Sequence, residues 1–419
     1  MENSNILTFY RGQENVVVNE KKNFNESLFK DQYAHALLQI DQLVSKGKND
    51  VPSIIAFCGD RGEGKTSCME TIKTMLAAFN DRDDNEVKSA INEFMQNCIV
   101  DYENSKSLKD QCDNFENVRF KVLDTIDPAF FDDDHNVIEL VLGMMYREMN
   151  RELKKEKKED KDNEEKKEKR HKIISLFHDA KLCLSQLNKG KIELYDPIDE
   201  LDWLSGGLEL KNKFQKLCDE FLKYYLEEKN EANRFLVISI DDIDLNINFA
   251  YEMVEQIRKY LCIPNCIVLI SLNINQLIEV ISNYISKQVA PGVYMEAMEM
   301  AQKYVTKLIP MEYRINMPKP YNFCDRPFKY VINDDNTKEF TSVKEAVVRL
   351  IYNKTRYLFY NNKGSVSPIV PNNLRSLRHL IGMLIAMSDF FSNEKSANNK
   401  EAGRSAPLRA LSPLRTVRD

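Results

Sequence analysis

The 419-residue sequence predicts an α/β fold built around a parallel β-sheet. Three observations lead there. Apolar runs of strand length alternate with longer helical patterns, which calls for right-handed crossovers and a sheet covered on both faces. The first run ends in a glycine-rich loop that opens a helix. A later run ends in adjacent carboxylates, at the carboxyl edge where open α/β sheets bind their ligands.

Taken in order, residues 1–23 are polar and weakly patterned. From Glu26 to Val44, Leu28, Tyr33, Leu37, Leu38, Ile40 and Leu43 recur at helical spacing, and a turn through Gly47 and Pro52 follows. Ile54 to Phe57 then reads as a fully buried parallel strand. Further strands are expected at Phe120–Leu123, Phe235–Ile240 and Cys266–Leu272, with a weaker one at Met311–Ile315. Helical patterns cover Phe249–Leu261 and Gln276–Ile285.

Met145 to Leu187 reads as an insertion projecting from the sheet domain. Within it, Lys154 to Arg170 holds nine basic residues, seven acidic residues and one asparagine, with no apolar side chain to face a core. An exposed helix held by i,i+4 pairs, a disordered connector and a docking surface all fit that composition. After Tyr321, Val343–Phe359 and Leu374–Phe391 read as helices split by the loop GSVSPIVPNN. The expected division is an N-terminal arm and helix (1–50), a sheet domain (51–335) with a charged helical insertion (145–200), a helical lid (336–395) and a flexible tail (396–419).

With 43% hydrophobic residues the chain can build a real core, and its net charge of -6 argues neither for nor against nucleic acid. No apolar run approaches membrane-spanning length, and the opening stretch lacks the order of a secretory signal, so a cytoplasmic location is expected. Nine scattered cysteines in apolar surroundings read as reduced, buried thiols. Cys262 and Cys266 lack the partners that a metal site needs.

The strongest motif is GDRGEGKTS, comprising Gly59, Asp60, Arg61, Gly62, Glu63, Gly64, Lys65, Thr66 and Ser67, which satisfies G-x-x-x-x-G-K-[ST] between a strand and a helix. Its glycines let the backbone approach a polyphosphate, whose charge the N–H groups and the helix N-terminus would hold. Lys65 is placed for the β- and γ-phosphates and Thr66 for Mg2+. Ser67 reads either as an α-phosphate contact or as part of the first helical turn.

The run RFLVISIDDID supplies the second centre. Asp241 reads as the magnesium-organising carboxylate and Asp242 as the group that orients or deprotonates water, although motif order alone permits the reverse. Asp244 reads as a participant or as loop structure. Asn273, ending the next apolar run, suits a γ-phosphate sensor or an Asx turn. Asp124 and Asp127 read as a strand cap and turn, or as assisting nucleotide or partner binding.

The order of these motifs, followed by AQKYVTKLIPMEYRIN at 301–316, resembles the KAP-type ATPases within the broader AAA+-like, additional-strand P-loop group. The resemblance implies a P-loop NTPase sheet ordered 5-1-4-3-2 and a helical lid beside ATP. It also implies arginine sensors, with Arg375 in PNNLRSLRHL as the lid candidate and Arg378 as its alternative. Arg314, or Arg258, would be a finger acting across a subunit boundary. Leu245 departs from the pattern, since KAP-type chains often carry arginine after the last aspartate of the acidic motif.

The expected function is Mg2+-dependent ATP hydrolysis driving conformational or assembly changes in a homo-oligomer, with an effector protein as a further partner. A resemblance to the ATPase component of RADAR-like systems implies a place in anti-phage defence. The alternatives are an ATP-binding signalling scaffold with slow turnover and a nucleic-acid-stimulated motor, for which no specific motif is present.

Overall fold

The structure, a computed structural model, describes residues 6–10, 24–46, 53–80, 85–101, 104–128, 136–159, 164–188, 197–226, 233–247, 249–288, 294–333, 336–357 and 369–387. In chain order the first elements are β1 (Leu7–Tyr10), α1 (Lys30–Lys46), β2 (Ile54–Cys58), α2 (Lys65–Ala78) and α3 (Asn85–Asn97). A short hairpin, β3 (Ile99–Asp101) and β4 (Lys106–Ser107), leads through α4 (Leu108–Gln111) to β5 (Val118–Ile126). Three long helices follow: α5 (Val137–Glu159), α6 (Glu164–Asn188) and α7 (Pro197–Tyr225). Then come β6 (Asn233–Ile240), α8 (Ala250–Gln256), β7 (Cys266–Leu272), α9 (Ile274–Gln288), α10 (Tyr294–Leu308) and β8 (Arg314–Asn316). The last group is α11 (Pro320–Phe323), β9 (Phe328–Asn333), β10 (Asn336–Phe340), α12 (Val343–Thr355) and α13 (Leu374–Ala386).

Five strands form an all-parallel sheet in the order β5-β6-β7-β2-β8. Numbered along the chain and read from the other edge, this is 5-1-4-3-2. The central strands are apolar throughout because both faces are covered. Ile54 and Ala56 of β2 face a core shared with α5 to α10, while Ile55 and Phe57 face the core of α1, α2 and α3. At the carboxyl ends, on the α2 side, the apolar pattern gives way to Thr125, Ser239, Asp241 and Ser271.

A second sheet, β1-β9-β10, packs with α12 and α13 around Phe9, Phe328, Val347, Leu377 and Ile381. The lid expected to be helical is therefore a mixed α/β unit. The boundary expected between 335 and 336 falls within the β9–β10 hairpin. The weakly patterned N-terminal arm supplies β1, which pairs parallel with β9, Leu7 opposite Phe328. A four-residue strand carries too little alternation to be read locally; its partner lies more than 300 residues away.

The insertion is also corrected. Met145 and Met149 of α5, Ile173, Phe177, Ala180 and Leu184 of α6, and Leu210, Phe214 and Phe221 of α7 are buried in the same core as β2, β6 and β7. The buried apolar residues of this stretch, from Met145 to Met149 and from Ile173 to Leu184, belong to the layer covering one face of the sheet rather than to a projection from it. Helix continues into both ends of the charged run, and residues 160–163 at its centre lie outside the described residues. So do most of the loop before α13 and the tail.

All nine cysteines are free, and all but Cys262 are buried. Among the described residues, no His/Cys/Asp/Glu group of three or more could hold a metal ion, and no helix is long and apolar enough to cross a membrane.

Candidate phosphate-binding site

The loop from Gly59 to Gly64 leaves the end of β2 and turns into α2. Two of its glycines are obligatory by geometry. Gly64 caps α2 with φ 90° and ψ 22°, and a Cβ there would lie 2.3 Å from Cζ of Phe29. Gly62 has φ 86°, and a Cβ there would lie 2.9 Å from the Arg375 Cβ. Both positions combine a left-handed backbone with a neighbour already in place.

Glu63 acts on the loop itself. It is buried, and its Oε2 accepts the Asp60 N–H at 2.7 Å. Burial raises its pKa above the ordinary carboxylate value. Asp60 is exposed and joins two other elements to the loop: Asn273 Nδ2 donates to its Oδ1 at 2.7 Å, and Lys319 Nζ stands 3.5 Å from its Oδ2. Arg61 is exposed at the loop's tip. Ser67 is partly buried in the first turn of α2, where its carbonyl accepts the Thr71 hydroxyl.

The loop and the acidic strand end meet through direct side-chain contacts. Thr66 Oγ1 lies 3.0 and 2.9 Å from the two carboxylate oxygens of Asp241. Lys65, buried at the start of α2, places Nζ 3.3 Å from Asp242 Oδ1. Burial raises the Asp241 pKa, opposed by hydrogen bonds from Ser271 and Thr66. Asp242 sits in the left-handed region, φ 42° and ψ 48°, which an aspartate tolerates better than most residues but at a cost of about 1 to 3 kcal/mol.

Asn273 forms the Asx turn, one of the two roles expected of it, and also contacts the loop. Its Oδ1 accepts the N–H groups of Asn275 and Gln276, forming the Asx turn that starts α9, while its Nδ2 holds Asp60 of the loop. Asp244 is buried, its pKa is raised by burial, and its Oδ1 has no hydrogen-bond partner. Its carbonyl accepts from Gln276.

The lid reaches the loop through its backbone. Arg375 N donates to the Gly62 carbonyl at 2.9 Å, and Asn373 caps α13 by accepting from Ser376 N. The Arg375 side chain is exposed beside the loop. Arg378 is instead directed at the Phe9 ring, 5.5 Å from its centroid. Arg314 is half-buried on β8, with Nε donating to the Ile309 carbonyl and Nη2 enclosed without a partner. Arg258, in the π-helical turn Ile257–Leu261 that continues α8, is tied to Glu255 of α8 through two hydrogen bonds. Asp124 pairs with Arg147 on α5, away from the loop's contacts.

Some residues of this region are not evident from motif reading. Ser271 is fully buried between the two aspartates, and its only sequence signal is a hydroxyl in the apolar run CIVLISL. Behind Thr66, Glu70 and Lys73 of α2 meet Thr125 of β5, whose Oγ1 lies 2.9 Å from Ser239 of β6. A lysine turned inward on the helix after the loop is the available signal for that network.

The donor set fits Mg2+, because Thr66 and Asp241 offer converging oxygens with no soft ligand among them. The preceding glycine loop and helix start supply N–H groups for an anion. The family model described as the KAP family P-loop domain matches residues 32–387, and none of the curated proteins matches the chain.

Proposed function

We propose, since the chain belongs to the KAP family of P-loop domains, that it is a Mg2+-dependent ATPase whose lid and assembly state follow the bound nucleotide. Family membership supports nucleotide binding and hydrolysis as its general chemistry. The observation carrying the finer reading is the convergence of Thr66 on Asp241 and Lys65 on Asp242 at one sheet edge.

In this reading the loop amides and Lys65 hold the β- and γ-phosphates, and Thr66 and Asp241 hold the cation. Bound there, Mg2+ neutralises charge on the phosphate oxygens. Polyphosphate competes with Asp242 for Lys65, and the released carboxylate orients the attacking water and takes its proton. Asn273 monitors the loop through Asp60, and Arg375 reports from α13. Self-association and delivery to an effector protein, including one acting in anti-phage defence, extend the same reading.

The test measures ATP binding and turnover across protein concentration for wild type, Lys65→Ala and Asp242→Asn. The reading expects Lys65→Ala to lose binding and Asp242→Asn to bind without turnover, with wild-type activity rising on assembly. Mg2+-dependent binding with wild-type turnover no higher than that of Asp242→Asn identifies a scaffold instead.

A further inference from the structure

We propose that Ser271 is a positioning residue that assigns the two adjacent aspartates their separate tasks, fixing Asp241 for the cation and leaving the Asp242 carboxylate available for water. The inference rests on the ATPase reading for those tasks and on the geometry for their separation.

Register brings the serine to this place. In the parallel β6–β7 ladder, Ser239 pairs with Leu269 and Ile240 with Ile270. One residue further on, where the ladder ends, Asp241 and Ser271 stand side by side. Every residue of β7 is buried, and Ser271 is 0% exposed. A buried hydroxyl without partners costs about 1 to 3 kcal/mol, so a strand built only for packing favours an apolar residue here.

The hydroxyl has one proton to give and can also accept. It donates to Asp241 Oδ1 and accepts the Asp242 N–H at 2.8 Å. Asp242 Oδ1 is farther away, at 3.3 Å, and the single proton is already committed. Asp241 thus receives two hydroxyl donors, from Ser271 and Thr66, while the Asp242 carboxylate faces Lys65. The chemical symmetry of two neighbouring carboxylates is broken by one serine proton.

The same oxygen anchors the left-handed backbone of Asp242, helped by the Leu245 N–H donated to the Asp242 carbonyl at 3.0 Å. When phosphate draws Lys65 away, the Ser271 bond to the main chain remains. The adjoining Leu272 carbonyl accepts the Gly59 N–H at 3.2 Å. Consecutive residues at the end of β7 therefore hold the acidic turn and the start of the phosphate loop.

The experiment compares full-length wild type, Ser271→Ala and Ser271→Thr. ATP affinity is titrated in EDTA and in Mg2+, kcat and KM are measured, and thermal unfolding is followed. For Ser271→Ala the EDTA affinity is expected to stay within about twofold of wild type. The gain in affinity on adding Mg2+ and kcat are each expected to fall about 10- to 100-fold, the usual effect of losing a residue that orients a ligand. Ser271→Thr, which keeps the hydroxyl, should recover both.

An unchanged Mg2+ gain in Ser271→Ala overturns the proposal. So does failure of threonine to recover it, or a parallel fall in EDTA affinity and melting temperature, which marks a packing role. If wild type binds ATP but does not turn it over, the ATPase reading fails, while the Mg2+ gain still decides whether Ser271 positions Asp241.

Discussion

Gly64→Ala meets two separate obstacles, and the structure allows their costs to be divided. The backbone at φ 90° is left-handed, which costs a residue with a Cβ about 1 to 2 kcal/mol. The new methyl would also stand 2.3 Å from Cζ of Phe29, well inside contact distance. Overpacking of this kind costs about 1 to 3 kcal/mol, so the single substitution should destabilise the protein by about 2 to 5 kcal/mol. Phe29→Leu removes the atom that is struck but leaves the backbone unchanged. In that background Gly64→Ala should cost only the backbone share, giving a coupling of about 1 to 3 kcal/mol between the two sites. Urea-unfolding free energies of the four proteins measure it. Additivity within about 0.5 kcal/mol refutes the reasoning, because the ring would then not occupy the space beside the loop.

Two further outcomes follow from the lid. Arg375→Ala should change unfolding stability by less than about 0.5 kcal/mol, since the side chain is exposed and the contact with Gly62 is made by backbone, yet turnover should drop with ATP affinity retained. Steady-state kinetics beside a binding titration checks this, and unchanged kcat removes Arg375 from the site. Glu345 accepts from the Thr341 hydroxyl and N–H at the start of α12, and these bonds hold its carboxyl below the usual 4.5. A depressed folded pKa gives stability that is present above 4.5 and lost as pH falls through the folded value. Glu345→Gln should therefore weaken the lid at neutral pH and flatten the acid side of its stability curve, as followed by hydrogen exchange in α12.

Legibility in the sequence followed the range of the interactions. β7 was expected at Cys266–Leu272 and lies there, because a strand buried on both faces is an uninterrupted apolar run. The phosphate loop is equally local, since its glycines, lysine and threonine are adjacent. β1 was not legible: it is short, and the strand that gives it meaning is at the other end of the chain. The insertion looks like a projection in the sequence because the charged run dominates its composition, while the residues reaching the core, from Met145 to Leu184, are spread along helices on either side. In the site, the acidic pair announced itself through charge. Ser271 did not, because a small hydroxyl in an apolar strand becomes informative only when the register shows what lies beside it.

The left-handed turn at Asp242 bears on how such a chain would drift over generations. Glycine is the residue that this backbone prefers, and it would relieve about 1 kcal/mol or more of conformational cost. The exchange would also strip the buried Lys65 ammonium of its carboxylate partner 3.3 Å away, so it favours the fold only where another group neutralises that charge. A related chain with glycine at the corresponding position and an intact phosphate loop would then need a counter-charge for that lysine from elsewhere, from a neighbouring side chain or from an anion held by the loop.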